Sequence, residues 1–197
     1  GDELDEPNED LYFRLTDYNN TRRYTGADSY RIRFLDDDDE PEVFFSESDV
    51  GENEEVVNPS ITIELDAESG RDIIVTYSDV TEASSGTATP DVDYTSFTEA
   101  QTLTIEAGET SNTFTLAITD DELYEAGETI LYTISEADYA TPNAGAGQTL
   151  TQTYTIANDL AEDPKPTCGF ELASGPVTEN DEGTFEHQIK VIMSAVS

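Results

Sequence analysis

The sequence predicts an all-β chain folded as an immunoglobulin-like, seven-stranded antiparallel sandwich, and three observations carry that expectation. Apolar residues recur at every second position in short runs, as in Ile61/Ile63/Leu65, Phe114/Leu116/Ile118 and Leu150/Gln152/Tyr154/Ile156. A period of two sets one strand face on a core and the other in water. Turn dipeptides punctuate the runs at Ser69-Gly70, Ser85-Gly86, Ala107-Gly108 and Ala126-Gly127. No segment of useful length has helical periodicity, and seven short strands in about 120 residues are the content of a sandwich.

In chain order, the first strand is Val43–Ser46, which carries Phe44-Phe45. Ser60–Leu65 follows with Ile61, Ile63 and Leu65 on one face, and Asp72–Tyr77 comes after the Ser69-Gly70 turn. Gln101–Ile105 and Asn112–Thr119 flank Ala107-Gly108. Thr129–Ser135 follows Ala126-Gly127, and Leu150–Ala157 closes the set. Thr fills many outward positions, where a β-branched side chain suits a pleated surface.

The chain also repeats itself. Asp2-Glu3-Leu4-Asp5-Glu6-Pro7-Asn8-Glu9 parallels Asp121-Glu122-Leu123-Tyr124-Glu125-Ala126-Gly127-Glu128, and each is followed by an alternating run. Tyr30 to Leu35 then corresponds to Thr153 to Ile156, and Val50-Gly51-Glu52-Asn53 to Val177-Thr178-Glu179-Asn180. Matched order and spacing predict the tail of one repeat at 1–38, a whole repeat at 39–160 and the head of another at 161–197. A head or tail alone is expected to be an incomplete sandwich. The start, Gly1-Asp2-Glu3-Leu4, reads as an internal cut with no signal peptide.

Charge narrows the function. The 197 residues include 45 acidic and 8 basic ones, for a net charge of −37. Nucleic acid and anionic membrane surfaces would be repelled, whereas cations would be attracted. Between Pro41 and Leu160 there are 25 acidic residues and one basic residue, Arg71. Carboxylates there face solvent, hold protons or share metal ions.

Four acidic groups recur at strand ends of the whole repeat: Glu52, Asp91-Val92-Asp93-Tyr94, Asp120-Asp121-Glu122-Leu123-Tyr124-Glu125, and Asn158-Asp159. Sandwich loops gather at two ends, so several of these can converge. Two unit charges about 5 Å apart repel by roughly 3 kcal/mol at an effective dielectric of about 20. A hard divalent cation removes that cost, and calcium accepts six to eight oxygens at about 2.3–2.6 Å in irregular geometry. Zinc would ask for His or Cys, which the groups lack. Magnesium, which favours tighter octahedral sites, stays open.

The run Asp120-Asp121-x-Leu123-Tyr124-Glu125-x-x-Glu128 resembles the signature of the Calx-beta domain, found in sodium–calcium exchangers and large adhesion proteins. Gly86-Thr87-Ala88 with Asp93-Tyr94, Val50-x-Glu52, and Leu103 to Glu109 resemble it as well. The resemblance covers the whole central repeat and implies a seven-strand sandwich with calcium at the inter-domain end. By position, Glu52, Asp93, Asp120, Asp121, Glu125 and Asp159 would be ligands. For an equivalent site on the preceding repeat, the implied set is Asp2, Glu6, Asp36, Asp37 and Asp38. The family ends its last strand with an Asp triplet, kept as Asp36-Asp37-Asp38 but replaced by Ala157-Asn158-Asp159 in the central repeat.

These readings lead to a calcium-stiffened, secreted segment of a long cell-surface adhesin or extracellular filament, with no enzymatic activity. Its expected partners are calcium, neighbouring repeats, and cell-surface proteins or glycans. Two alternatives stay open: a calcium-sensing domain regulating a membrane transporter, and a glycan- or protein-binding module. Cys168 and His187 lack a third catalytic partner, and Cys168 is expected to be a free, buried thiol. No apolar run reaches transmembrane length, and no phosphate-binding glycine loop is present.

Overall fold

The computed structural model describes residues 3–16, 19, 26–80, 87–121, 123–143, 148–158, 163–172, 175–176 and 188–194. Two strands, β1 (Glu9–Arg14) and β2 (Ser29–Phe34), pair as an antiparallel ribbon. Nine more build the centre: β3 (Glu42–Phe45), β4 (Asp49–Asn53), β5 (Ser60–Leu65), β6 (Ile73–Asp79), β7 (Gln101–Ile105), β8 (Ser111–Thr115), β9 (Glu128–Asp138), β10 (Thr141–Pro142) and β11 (Thr151–Ala157). A short ribbon of β12 (Cys168–Phe170) and β13 (Val191–Met193) follows.

The central strands form two sheets, ordered β10-β3-β5-β8 and β4-β11-β9-β6-β7. Every expected strand is present to within a few residues. The alternating positions face inward as their period requires: Ile61, Ile63, Leu65, Phe114, Leu116, Ile118, Gln152, Tyr154 and Ile156 are buried. Tyr132 is fully covered at the middle of the core. Beside it, the Tyr77 and Phe114 rings stack at 4.1 Å, and Phe97 meets Tyr77 edge-on at 5.7 Å. Such aromatic contacts add to what area burial already contributes.

Two strand pairings depart from the expected antiparallel arrangement. The chain after Phe45 leaves the four-stranded sheet, and β4 joins the other sheet as an edge strand parallel to β11. Residues 141–142 likewise pair parallel with β3. Hydrophobic period reports which side is buried, not which neighbour supplies the hydrogen bonds, so this split was invisible in the pattern.

Gly51 is what lets β4 dock. A Cβ there would lie 2.7 Å from the Thr155 carbonyl oxygen and 2.9 Å from Thr155 Cβ. Gly51→Ala is therefore expected to cost about 1–3 kcal/mol by overpacking, read as a lower thermal midpoint. Gly169→Ala, where an added Cβ meets nothing within 4 Å, is the unchanged control.

Outside the sandwich the ribbons bury little. Leu11, Phe13, Ile32 and Phe34 are exposed on the first, and Phe170, Val191 and Met193 on the last. Cys168 is exposed on β12, contrary to the buried thiol expected. The three-residue β12 has no second sheet above it among the described residues to cover its side chain. His187 lies outside the described residues. Among those described, no helix is long and apolar enough to cross a membrane.

Candidate metal centre

Asp93 is held by its own loop. Its amide donates to the Thr89 carbonyl at 3.0 Å, and its carbonyl accepts from the Thr119 amide at 2.9 Å. The Thr89 amide donates to its carboxylate. Asp91 takes a left-handed φ of 60°, which Asp tolerates better than most residues, and accepts from the Ser96 hydroxyl at 3.0 Å. The neighbouring Tyr94 is buried and donates its hydroxyl to Asp79 at 3.0 Å. That anchor fixes the loop against the core, and Asp93, half-buried beside it, lines a hollow at its surface.

A second arm comes from the chain between β8 and β9. The Leu123 amide donates to Asp121 at 2.7 Å, a local Asx-type turn. The Glu125 amide donates to Asn158 Oδ1 at 2.7 Å, tying this loop to the end of β11. Glu128 opens β9 opposite Ile156. As a result, one carboxylate oxygen each from Asp93, Glu125 and Glu128 lies within 4.8 Å of the others. Glu54, Thr119, Asp121 and Asn158 line the same hollow. Its volume of about 10 Å³ is the scale of a single ion or water.

Crowding shows in the proton affinities. Burial, then the hydrogen bond with Asp93 and the charges of Asp93, Glu125 and Glu54, push Glu128 up to about 7. Glu125 is raised too, by burial first and then by Asp93, Asp121 and Asp163. No basic side chain lines the hollow among the described residues. The donors are all oxygens, with no imidazole or thiolate, which suits a hard divalent cation and not zinc.

A pH dependence follows. An acid whose folded pKa is raised has its full relative stability below the unfolded value and loses it as pH rises through the folded value. In chelator, the midpoint of thermal unfolding should therefore fall as pH goes from about 4.5 through about 7. Saturating divalent cation should cancel that fall, because the charged form is then the one held.

The residues singled out from sequence divide into three groups. Asp93, Asp121 and Glu125 meet at the hollow. Glu52 instead lies on β4 beside a separate hollow shared with Val50, Val56 and Tyr154, and Asp120 is exposed outside the cluster. Asp159 and Asp2 lie outside the described residues. Two acids were missed as site residues. Glu128 stands inside the quoted acidic signature, so its signal was present. Glu54 follows β4 in a turn that donates its amide to the Ala157 carbonyl at 3.0 Å; that turn buries it, and no spacing rule reports it.

Of the residues expected at the preceding site, Glu6 and Asp36 are neighbours: the Glu6 amide donates to Asp36 Oδ1 at 3.1 Å. This duplicates the bond between Glu125 and Asn158. The ladders agree as well, with Glu9 opposite Phe34 where Glu128 is opposite Ile156. What differs is the cation present. Arg71 Nη2 lies 3.3 Å from Asp5 Oδ1 and 3.8 Å from Asp36 Oδ2, and donates to the Glu6 carbonyl. Asp37 is exposed and Asp38 half-buried.

Residues 36–160 match the sequence model of the Calx-beta domain, well over half of the chain. The chain belongs to the Calx-beta domain family. Among solved structures, this Calx-beta chain is similar to CBD12 from CALX1.2, with a TM-score of 0.51 and 15% identity over 60% of this chain and 44% of that one. It is similar to the calcium binding domain CBD12 of CALX1.1, with a TM-score of 0.51 and 16% identity over 59% of this chain and 44% of that one. The alignment thus spans less than half the length of either structure, and at such identities the likeness bears on the fold. A comparison with curated proteins finds no match.

Proposed function

We propose that this Calx-beta domain binds calcium in the hollow between the Asp93 loop, the Asp121–Glu128 segment and the end of β11, and that the ion stiffens the join to the next repeat. The observation that carries this reading is the approach of Asp93, Glu125 and Glu128 to within 4.8 Å without a basic neighbour among the described residues lining the hollow. Membership of the family supports calcium as the ion, and the oxygen-only donor set suits it.

The duplicated Glu6–Asp36 and Glu125–Asn158 bonds support reading 1–38, 39–160 and 161–197 as successive repeats, with the exposed ribbon faces completed by further chain. In that arrangement the acidic ends lie at the junctions. A secreted, cell-surface adhesin or filament, meeting other surface proteins or glycans, would use them as calcium-set hinges. A calcium-sensing role beside a transporter is the second reading, supported by membership of the Calx-beta family. Small-angle scattering of a chain with complete repeats distinguishes the hinge from a rigid linker. A maximum dimension that grows and sharpens with calcium supports the hinge, and identical profiles in calcium and chelator reject it.

A further inference from the structure

The central repeat lacks a carboxylate where its predecessor has one, since Asn158 occupies the position of Asp36 in the duplicated bond. Five residues on, the chain supplies another. Asp163 is 1% exposed, and neither carboxylate oxygen has a hydrogen-bond partner among the described residues. A buried carboxylate without partner is costly and is normally paired or metal-bound in native proteins. Its backbone carbonyl accepts from Asn158 Nδ2 at 3.3 Å, which holds it against the end of β11. Two residues later, Lys165 Nζ stands 5.7 Å from the centre of the Tyr124 ring, on the loop that carries Glu125. Asp163 thus adjoins the acidic cleft through Asn158, which lines it, and its charge acts on Glu125.

We propose that Asp163 is a cation ligand supplied by the segment leaving the sandwich, replacing the carboxylate that Asn158 lacks. This rests on the calcium reading of the cleft and deepens it. A ligand on the exit segment makes ion binding and the direction of the outgoing chain one event. The Asp163-Pro164 bond adds stiffness next to the ion, because proline fixes φ. Asn158 instead joins both arms through its side-chain amide, accepting from Glu125 and donating to Asp163.

The proposal is tested by calorimetric titration of the 197-residue chain with calcium, alongside thermal midpoints in chelator, for wild type, Asp163→Asn and Glu128→Gln. Asp163→Asn should weaken calcium binding by about tenfold or more, as loss of a charged ligand does. In chelator the same variant should melt higher than wild type, because an unpaired buried charge is gone. Wild-type affinity in Asp163→Asn while Glu128→Gln abolishes binding would overturn the Asp163 assignment and leave the calcium site intact. A lower midpoint in chelator would also overturn it, since that is the sign of a purely structural contact. Absence of calcium binding in wild type would instead remove the calcium reading itself, and the ligand role with it.

Discussion

Calcium at a hundred times its dissociation constant is expected to raise the thermal midpoint of the central sandwich by roughly 10 °C, and Glu128→Gln should remove most of that gain. A ligand bound only by the folded state adds about 2.7 kcal/mol at that saturation, and each kcal/mol moves a domain of this size by about 4 °C. Glu128 is the acid to change because its environment opposes charge most strongly among the cluster carboxyls with a resolved shift, with Asp93, Glu125 and Glu54 all acting on it. Without calcium, the glutamine should be neutral or stabilising at pH above about 7, since it relieves that repulsion. The two effects have opposite signs, so scanning fluorimetry in calcium and in chelator separates a ligand from a packing residue. Equal midpoints in both solutions for wild type would remove the calcium reading.

The second large effect concerns Arg71. It is the one basic residue between Pro41 and Leu160, and it is spent on the junction with the preceding segment. Its guanidinium reaches Asp5, Asp36 and the Glu6 carbonyl, and lies 5.0 Å from the Tyr139 ring centre. Around it, the Gly70 amide donates to the Asp5 carbonyl at 2.8 Å and the Ser69 hydroxyl to its carboxylate at 3.2 Å. A Cβ on Gly70 would sit 2.8 Å from Glu6 Cγ, so backbone and side chain are close-packed there. Asp5 is only 3% exposed. Removing one partner of a buried pair costs about 3–5 kcal/mol; with the Arg71 side chain 23% exposed, about 2–3 kcal/mol is the expectation. That loss falls on docking of residues 3–36, not on the sandwich. Arg71→Met should speed hydrogen exchange at the Gly70 amide and open the ribbon to protease while leaving the main unfolding transition in place. Asp5→Asn in the same chain should recover much of the protection, because it removes the stranded charge. Unchanged exchange in Arg71→Met would mean the guanidinium contributes nothing to the joint.

The two acidic clusters, at Arg71 and at the Asp93–Glu128 cleft, differ in a physical way. At the first, a covalently attached cation already sits among the acids, so its geometry holds in the absence of any ion. At the second, no basic side chain lines the cleft among the described residues. On the proposed calcium reading, one end of the sandwich is fixed at all calcium concentrations, and the other would respond to calcium.

Much of this was legible in the residues. The seven strands followed from period-two burial, which is a property of the local chain: Ile61, Ile63 and Leu65 face inward because they share one side of a strand. The family resemblance pointed to the fold, and with it to three acids that meet in the cleft: Asp121 and Glu125 in the Asp120–Glu128 signature, and Asp93 in the Asp93-Tyr94 motif. The rest depended on partners far apart in sequence. Whether β4 pairs with β3's sheet or with β11 turns on how closely Gly51 approaches Thr155, a contact across 104 positions of chain. Glu54, not Glu52, lines the hollow, held there by the turn after β4 and its amide's bond to the Ala157 carbonyl. Arg71 read as an isolated charge until folding laid Asp5 and Asp36 beside it. Asp163 gave no signal at all, since an acid in a linker is ordinarily solvated; its burial exists only once the linker packs on Asn158. Sequence determined which faces are apolar and which loops are acidic, because both are properties of single segments. Tertiary structure alone decided which acids share a space and which cation answers them, because Coulomb energy depends on distance and burial, and neither is written in chain order.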